Sequence, residues 1–192
     1  MPHLSVPTFE NLERSMTSRN SQFQRFTVLD TETTGLGRTD RICSAAFLSL
    51  NSISFLHSDL QETARSEILT DPGIAIPEKA SEVNGFVRSL SDVAGKTNLY
   101  ARACFYDHVP LVKAFLDHSI PVCHNAHFDI WYLYSEMHKV RQDVLPGGEV
   151  PSWGKIDPKF FLDMNPFVIC TKMTFASILG LEVTPEYRKE TS

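Results

Sequence analysis

Two acids stand where an apolar strand ends. Phe26-Thr-Val-Leu-Asp30 is a short, partly β-branched apolar run; Glu32 follows two residues later, and Gly35 and Gly37 close the segment. The run reads as a buried strand. If strand geometry continues through Glu32, the carboxylates of Asp30 and Glu32 point to the same side. Neighbouring carboxylates repel unless a cation lies between them, so the pair invites a divalent metal. A turn acid after a strand is the plainer account of a bare Asp-x-Glu. Gly35 lets the backbone turn sharply and a ligand approach closely. A second polar group, His124-Asn-Ala-His-Phe-Asp129, follows the apolar run Ile120-Pro-Val-Cys123. Taken alone, Asn125 fits a helix cap and Asp129 a first-turn acid favoured by the helix dipole. His124 and His127 are three residues apart across a strand-to-helix turn, a poor arrangement for a metal pair. Phe128 and Trp131 read as core. The cysteines, Cys43, Cys104, Cys123 and Cys170, lack C-x-x-C spacing, which argues against a zinc site or a disulfide framework and for buried free thiols.

The elements that would position these residues can be read from the same pattern. Residues 1–24 are a polar N-terminal extension, with a short helix around Phe9 to Met16. After the first strand, Ile42 to Leu50 predicts a second and Ile53 to His57 a third, with Asn51-Ser52 as the turn. Strand, turn and strand in succession predict an antiparallel meander. Asp71-Pro-Gly and Ile76-Pro mark a loop. Glu78 to Val83 reads as a short helix stopped by Asn84-Gly85. Val109, Val112, Phe115 and Leu116 recur at helical spacing, predicting a helix over Asp107 to His118. Ile120 to Cys123 is a short strand, and a helix runs from about Phe128 to Val140. Leu145 to Pro158 is a Pro- and Gly-rich loop. Val168-Ile-Cys leads to Thr171, an N-cap for a helix ending near Gly180. The sum is an α/β domain with a mixed sheet.

At 192 residues, with 42% hydrophobic and 21% charged residues, the chain fits one globular domain. It has no apolar run long enough to span a membrane and no secretory leader, so a cytoplasmic protein is expected. The net charge of −5 speaks mildly against a broad basic nucleic-acid surface. It leaves room for a site in which metal ions bound by carboxylates meet phosphate.

Asp30-Thr-Glu-Thr-Thr-Gly-Leu36 after a hydrophobic strand resembles the first motif of the DEDD superfamily of 3′→5′ exonucleases. His124-Asn-Ala-His-Phe-Asp129 resembles the second. The superfamily includes the proofreading (epsilon) subunit of bacterial DNA polymerase III and ribonuclease T. Weaker matches lie at Pro77 to Phe86, where Asn84 takes the usual His position, and at Phe167 to Leu181. The likeness runs from Phe26 to about Leu181, making residues 25–192 an exonuclease-like domain, either degenerate or incomplete at its C-terminus. It implies a ribonuclease H-like mixed sheet and two Mg²⁺ or Mn²⁺ ions as cofactors, held by Asp30, Glu32 and Asp129 as catalytic residues. It also implies substrate contacts at Thr33, Thr34, Gly35, Leu36, Asn84, His124 and Asn125. The implied partners are 3′ ends of single-stranded DNA or RNA and, by family analogy, a DNA polymerase.

The likeness further implies a third motif just after Leu181, with a His or Tyr as general base and a final Asp. Residues 182–192 contain neither His nor Asp. Tyr187 could stand for the base, but the acid nearest the required place is Glu190, one residue short. A chain without base and fourth acid would lose roughly 10²–10⁴-fold from the missing proton transfer alone.

Overall fold

The computed structural model describes residues 25–51, 61–143, 168–172 and 174. Three strands follow one another antiparallel, β1 (Arg25–Thr33), β2 (Ile42–Asn51) and β3 (Glu62–Leu69). The chain then forms helix α1 (Glu78–Asn84) and two short paired strands, β4 (Phe86–Val87) and β5 (Thr97–Asn98). A 3-10 turn over Phe105–His108 runs into α2 (Val109–Leu116). Strand β6 (Ser119–Cys123), the long helix α3 (Ala126–Asp143) and strand β7 (Ile169–Cys170) complete the order. The main sheet reads β3-β2-β1-β6-β7, with β1 central, antiparallel to β2 and parallel to β6. This is the expected α/β architecture with a mixed sheet.

Apolar residues on alternate positions divide between the two faces of the sheet. On one face Leu29, Ala45, Phe47 and Ile68 meet Val112, Phe115 and Leu116 of α2 and Ile130, Leu133 and Met137 of α3. Phe47 stacks on Phe115 with ring centroids 5.2 Å apart. Phe128 and Trp131 pack, partly buried, against this core, as the sequence predicts. The other face carries a smaller cluster of Phe26, Leu50, Ile120 and Val122. Polar bonds fix α2 to the central strand: the Arg25 guanidinium donates to the Ala114 and Asp117 carbonyls, and Thr27 Oγ1 donates to Phe115 O at 2.8 Å.

Helix α1 ends where Asn84-Gly85 predicts, because Gly85 adopts a left-handed φ of 75° and its N–H closes on Ser81 O at 3.0 Å. The described third strand is Glu62–Leu69, a segment the pattern does not single out. Its residues up to Glu67 are mostly exposed on both sides, so no alternation survives at this sheet edge. The thiol expectation needs one correction. Cys43, Cys123 and Cys170 are buried and free, but Cys104 is exposed, because it caps the 3-10 turn through Asp107, with Sγ 3.2 Å from Oδ2. The helix over Phe9 to Met16, the strand over Ile53 to His57, the loop over Leu145 to Pro158, the helix end near Gly180, and Tyr187 and Glu190 lie outside the described residues.

Candidate active site at the end of the central strands

Parallel pairing sets Val28, mid-way along β1, opposite Val122 near the end of β6, so β1 runs on past β6. The acids follow from there. Along β1 the odd positions Leu29, Thr31 and Thr33 are buried, while Asp30 is exposed and Glu32 half-buried. Asp30 and Glu32 thus share the open side of the strand. Past β6 the chain turns at His124-Asn125, and the Asn125 carbonyl accepts from Phe128 N at 2.8 Å and Asp129 N at 3.3 Å, starting α3. Asp129 in that first turn is only 2% exposed. Its Oδ1 accepts from Thr31 N at 3.0 Å and Thr31 Oγ1 at 2.8 Å. Strand and helix are thereby joined through the residue between the other two acids.

The electrostatics are those of concentrated negative charge. Burial pushes the Asp129 carboxyl up to about 6; the Thr31 hydroxyl opposes this and the charge of Asp30 adds to it. Burial, and then Asp30, raise Glu32 as well. Burial first, and then Asp129, lift the Cys123 thiol, while burial with Glu32 behind it pushes Cys43 up to about 12, so neither thiol is a nucleophile at neutral pH. Among the described residues no three His, Cys, Asp or Glu side chains converge closely enough to hold an ion as they stand. In kind the donors fit a hard divalent cation. They are carboxylate oxygens, and a cation beside them would reverse the penalty that burial and mutual repulsion impose.

The loop between β1 and β2 is held from within. Thr34 N donates to Arg41 O at 2.9 Å, and Thr34 Oγ1 donates to Asp40 Oδ1 at 2.7 Å. Asp40 Oδ2 accepts from Gly37 N at 2.7 Å. Gly35 is required here for space: a Cβ on it would lie 2.6 Å from Asp40 Oδ2. Gly35→Ala is therefore expected to lose about 1–2 kcal/mol in chemical denaturation by displacing a carboxylate that makes two hydrogen bonds. Combined with Asp40→Ala, it is expected to add nothing further. An additive double variant would contradict the clash.

Helix α3 grips the same loop with one face. Residues 129, 132 and 136 lie at i, i+3 and i+7 and so line up. Asp129 holds Thr31; Tyr132 Oη donates to Gly35 O at 2.9 Å and Gly37 O at 3.0 Å; Glu136 Oε1 accepts from Arg41 Nε at 2.7 Å and Ile42 N at 3.1 Å. Sequence reasoning does not single out Tyr132 or Glu136, although their helical phase with Asp129 was the available signal.

The residues expected at a substrate divide into groups. Thr33 and Thr34 are buried, and the Thr34 hydroxyl is engaged inside the loop. Leu36 stands 72% exposed. Asn84 comes to the same strand end, donating from Nδ2 to Thr33 O at 3.1 Å. His124 is exposed, with Nδ1 3.2 Å from Thr171 Oγ1, and His127 is also exposed.

No family model matches the chain, and no curated protein matches it in sequence. Solved structures do match it in shape. The metal-free E. coli exonuclease I–single-stranded DNA complex superposes with a TM-score of 0.59 at 12% identity, over 83% of this chain and 30% of that one. The fold is similar to that of part of exonuclease I. A product-bound exonuclease I gives 0.59 at 12% identity over 86% of this chain and 35% of its own. The zinc-bound form of the E. coli complex gives 0.59 at 12% over 85% and 32%. The chain thus spans about a third of the length of these exonuclease I structures. Among the described residues, no helix is long and apolar enough to cross a membrane.

Proposed function

We propose that this chain is a metal-dependent 3′→5′ exonuclease domain that hydrolyses the terminal phosphodiester of single-stranded DNA or RNA. The observation that carries the reading is Asp129. A buried carboxylate, tied by two hydrogen bonds to the strand that presents Asp30 and Glu32, is pushed up to about 6 by burial and by Asp30. Such an arrangement is unfavourable to folding unless a cation uses it. The exonuclease fold and the two sequence motifs support the same assignment.

Asp30, Glu32 and Asp129 would hold two Mg²⁺ or Mn²⁺ ions, which when bound supply an acidified water and positive charge against the phosphate. The chain supplies the positioning. Thr31 fixes Asp129, and Asn84 pins the end of β1 through the Thr33 carbonyl. Leu36 offers an apolar surface to the terminal base, a contact indifferent to sequence. A second reading, a truncated or degenerate domain that binds nucleic acid with little or no catalysis, is favoured by one fact: residues 182–192 hold neither the His nor the Asp of a third motif. The readings separate in one assay. With Mg²⁺ or Mn²⁺, an exonuclease releases mononucleotides stepwise from a 3′-labelled single strand and leaves a 5′ label until last. Binding of the strand without release supports the truncated or degenerate domain instead.

A further inference from the structure

We propose that the β1–β2 loop carries a phosphate-binding subsite, formed by the Leu36 and Arg38 backbone N–H groups with the Arg38 guanidinium and positioned by Tyr132. The proposal rests on the exonuclease reading and extends it to a second contact on the same strand.

Tyr132 is fully buried, yet its hydroxyl is directed at two loop carbonyls, Gly35 O at 2.9 Å and Gly37 O at 3.0 Å. Thr33 Oγ1 reaches Gly35 O from within the loop at 2.5 Å. All peptide bonds described are trans, so each amide hydrogen points opposite to the carbonyl of the residue before it. Holding the 35 and 37 carbonyls toward α3 therefore turns the Leu36 and Arg38 N–H groups away from it. The intervening Gly37 N–H goes the other way, to Asp40 Oδ2. Neither the Leu36 nor the Arg38 N–H meets an acceptor among the described residues. Arg38 itself is exposed and joins no ion pair there.

Two amide hydrogens on one side of a short loop, with a guanidinium on the residue that carries the second, form a concave donor set for a tetrahedral anion. The location gives that anion an identity. The loop starts after Thr33, one residue past Glu32, and Leu36 projects from it into solvent. A strand whose terminal linkage lies at the acids passes this loop with its next phosphodiesters. The acids repel phosphate and the chain carries a net charge of −5, so a local cationic anchor separate from the acids has a physical purpose. Because the donors address only phosphate, the subsite holds any sequence.

The test is a scan in which single phosphates near the 3′ end of an oligonucleotide are replaced one at a time by neutral methylphosphonate. At one linkage, the wild-type protein is expected to show KM raised about tenfold, the worth of a hydrogen bond to a charged group, with kcat within about twofold. Arg38→Ala is expected to raise KM for the all-phosphate strand by a similar factor and to lose the discrimination at that linkage. Tyr132→Phe, which keeps the ring and removes the hydroxyl, is expected to raise KM through the same linkage. If Tyr132→Phe fails to fold, the exposed Arg38→Ala decides alone. Additive effects of Arg38→Ala and the neutral linkage, or wild-type KM in Arg38→Ala while the wild type releases nucleotides, would overturn the subsite and leave the exonuclease reading intact. A wild-type protein that neither binds nor trims the strand would overturn both.

Discussion

Asp129→Asn is expected to stabilise the metal-free protein at neutral pH while removing most of its metal-dependent activity. The stability effect follows from the raised carboxyl. Asp129 sits near 3.8 in an unfolded chain and at about 6 in the fold, where burial is the main cause. Below about pH 4 both states hold the proton and the group carries no penalty. As pH rises through about 6 the folded state must release a proton that it holds more tightly, so stability falls. The full difference is worth about 3 kcal/mol at most. For a chain of this size that corresponds to a melting temperature at most about 6–12 °C lower at pH 7.5 than an uncharged group would give. Asparagine removes the charge, and its oxygen can still accept from Thr31 N and Oγ1. Glu32, raised in the same direction, keeps a smaller slope in the variant. Mg²⁺ or Mn²⁺ is expected to raise the wild-type melting temperature at pH 7.5 much more than that of the variant. Nucleotide release should fall at least about 10²–10³-fold, in the range seen when one preorganised charge-stabilising group is removed. Thermal melts at pH 4.5 and 7.5, with and without metal, read the first half; the oligonucleotide assay reads the second. A variant less stable than wild type at pH 7.5 without metal would show that the buried charge is satisfied by the fold alone.

Glu136→Ala is expected to be the most destabilising single change in the loop-holding face of α3. The side chain is 1% exposed, and one oxygen serves both Arg41 Nε and the Ile42 N–H that begins β2. Truncation leaves the Ile42 N–H without this acceptor and takes the Glu136 carboxylate away from a guanidinium side chain that is only 19% exposed. Breaking a buried pair from one side costs about 3–5 kcal/mol, and the partial access of water to Arg41 argues for the lower end. That is a large share of the 5–15 kcal/mol typical of a domain. Glu136→Gln keeps an acceptor oxygen for both donors and is expected to lose only about 1 kcal/mol. Equal losses in the two variants, measured by denaturant unfolding, would mean that charge and not hydrogen bonding makes the contact.

The candidate acids were legible in the sequence because their chemistry lies in contiguous residues. A strand period of two puts Asp30 and Glu32 together, and a strand-to-helix turn puts Asp129 in a first turn. Asn84-Gly85 was legible as a helix end because only a left-handed residue closes it that way. What lay hidden depends on partners far apart along the chain. The bonds from Tyr132 to Gly35 and from Glu136 to Arg41 span 97 and 95 residues, and helical phase with Asp129, the one local signal, does not name those partners. Thr31 reads as one more β-branched strand residue until its hydroxyl is seen on Asp129. Strand β3 gave no signal because an exposed edge needs no apolar alternation. The sequence marks Gly35 as a turn that a ligand can approach closely; the group that lies against it is the Asp40 carboxylate of the same loop.

Asp30 is central to the site, because its charge acts on both Glu32 and Asp129. Its most direct test compares wild-type protein with Asp30→Ala for release of mononucleotides from a 3′-labelled single strand in Mg²⁺ or Mn²⁺. Stepwise release by the wild type, abolished in Asp30→Ala although the variant melts as a folded protein, is the expected result. Release that persists in Asp30→Ala would contradict the assignment of these acids to a metal-dependent nuclease site.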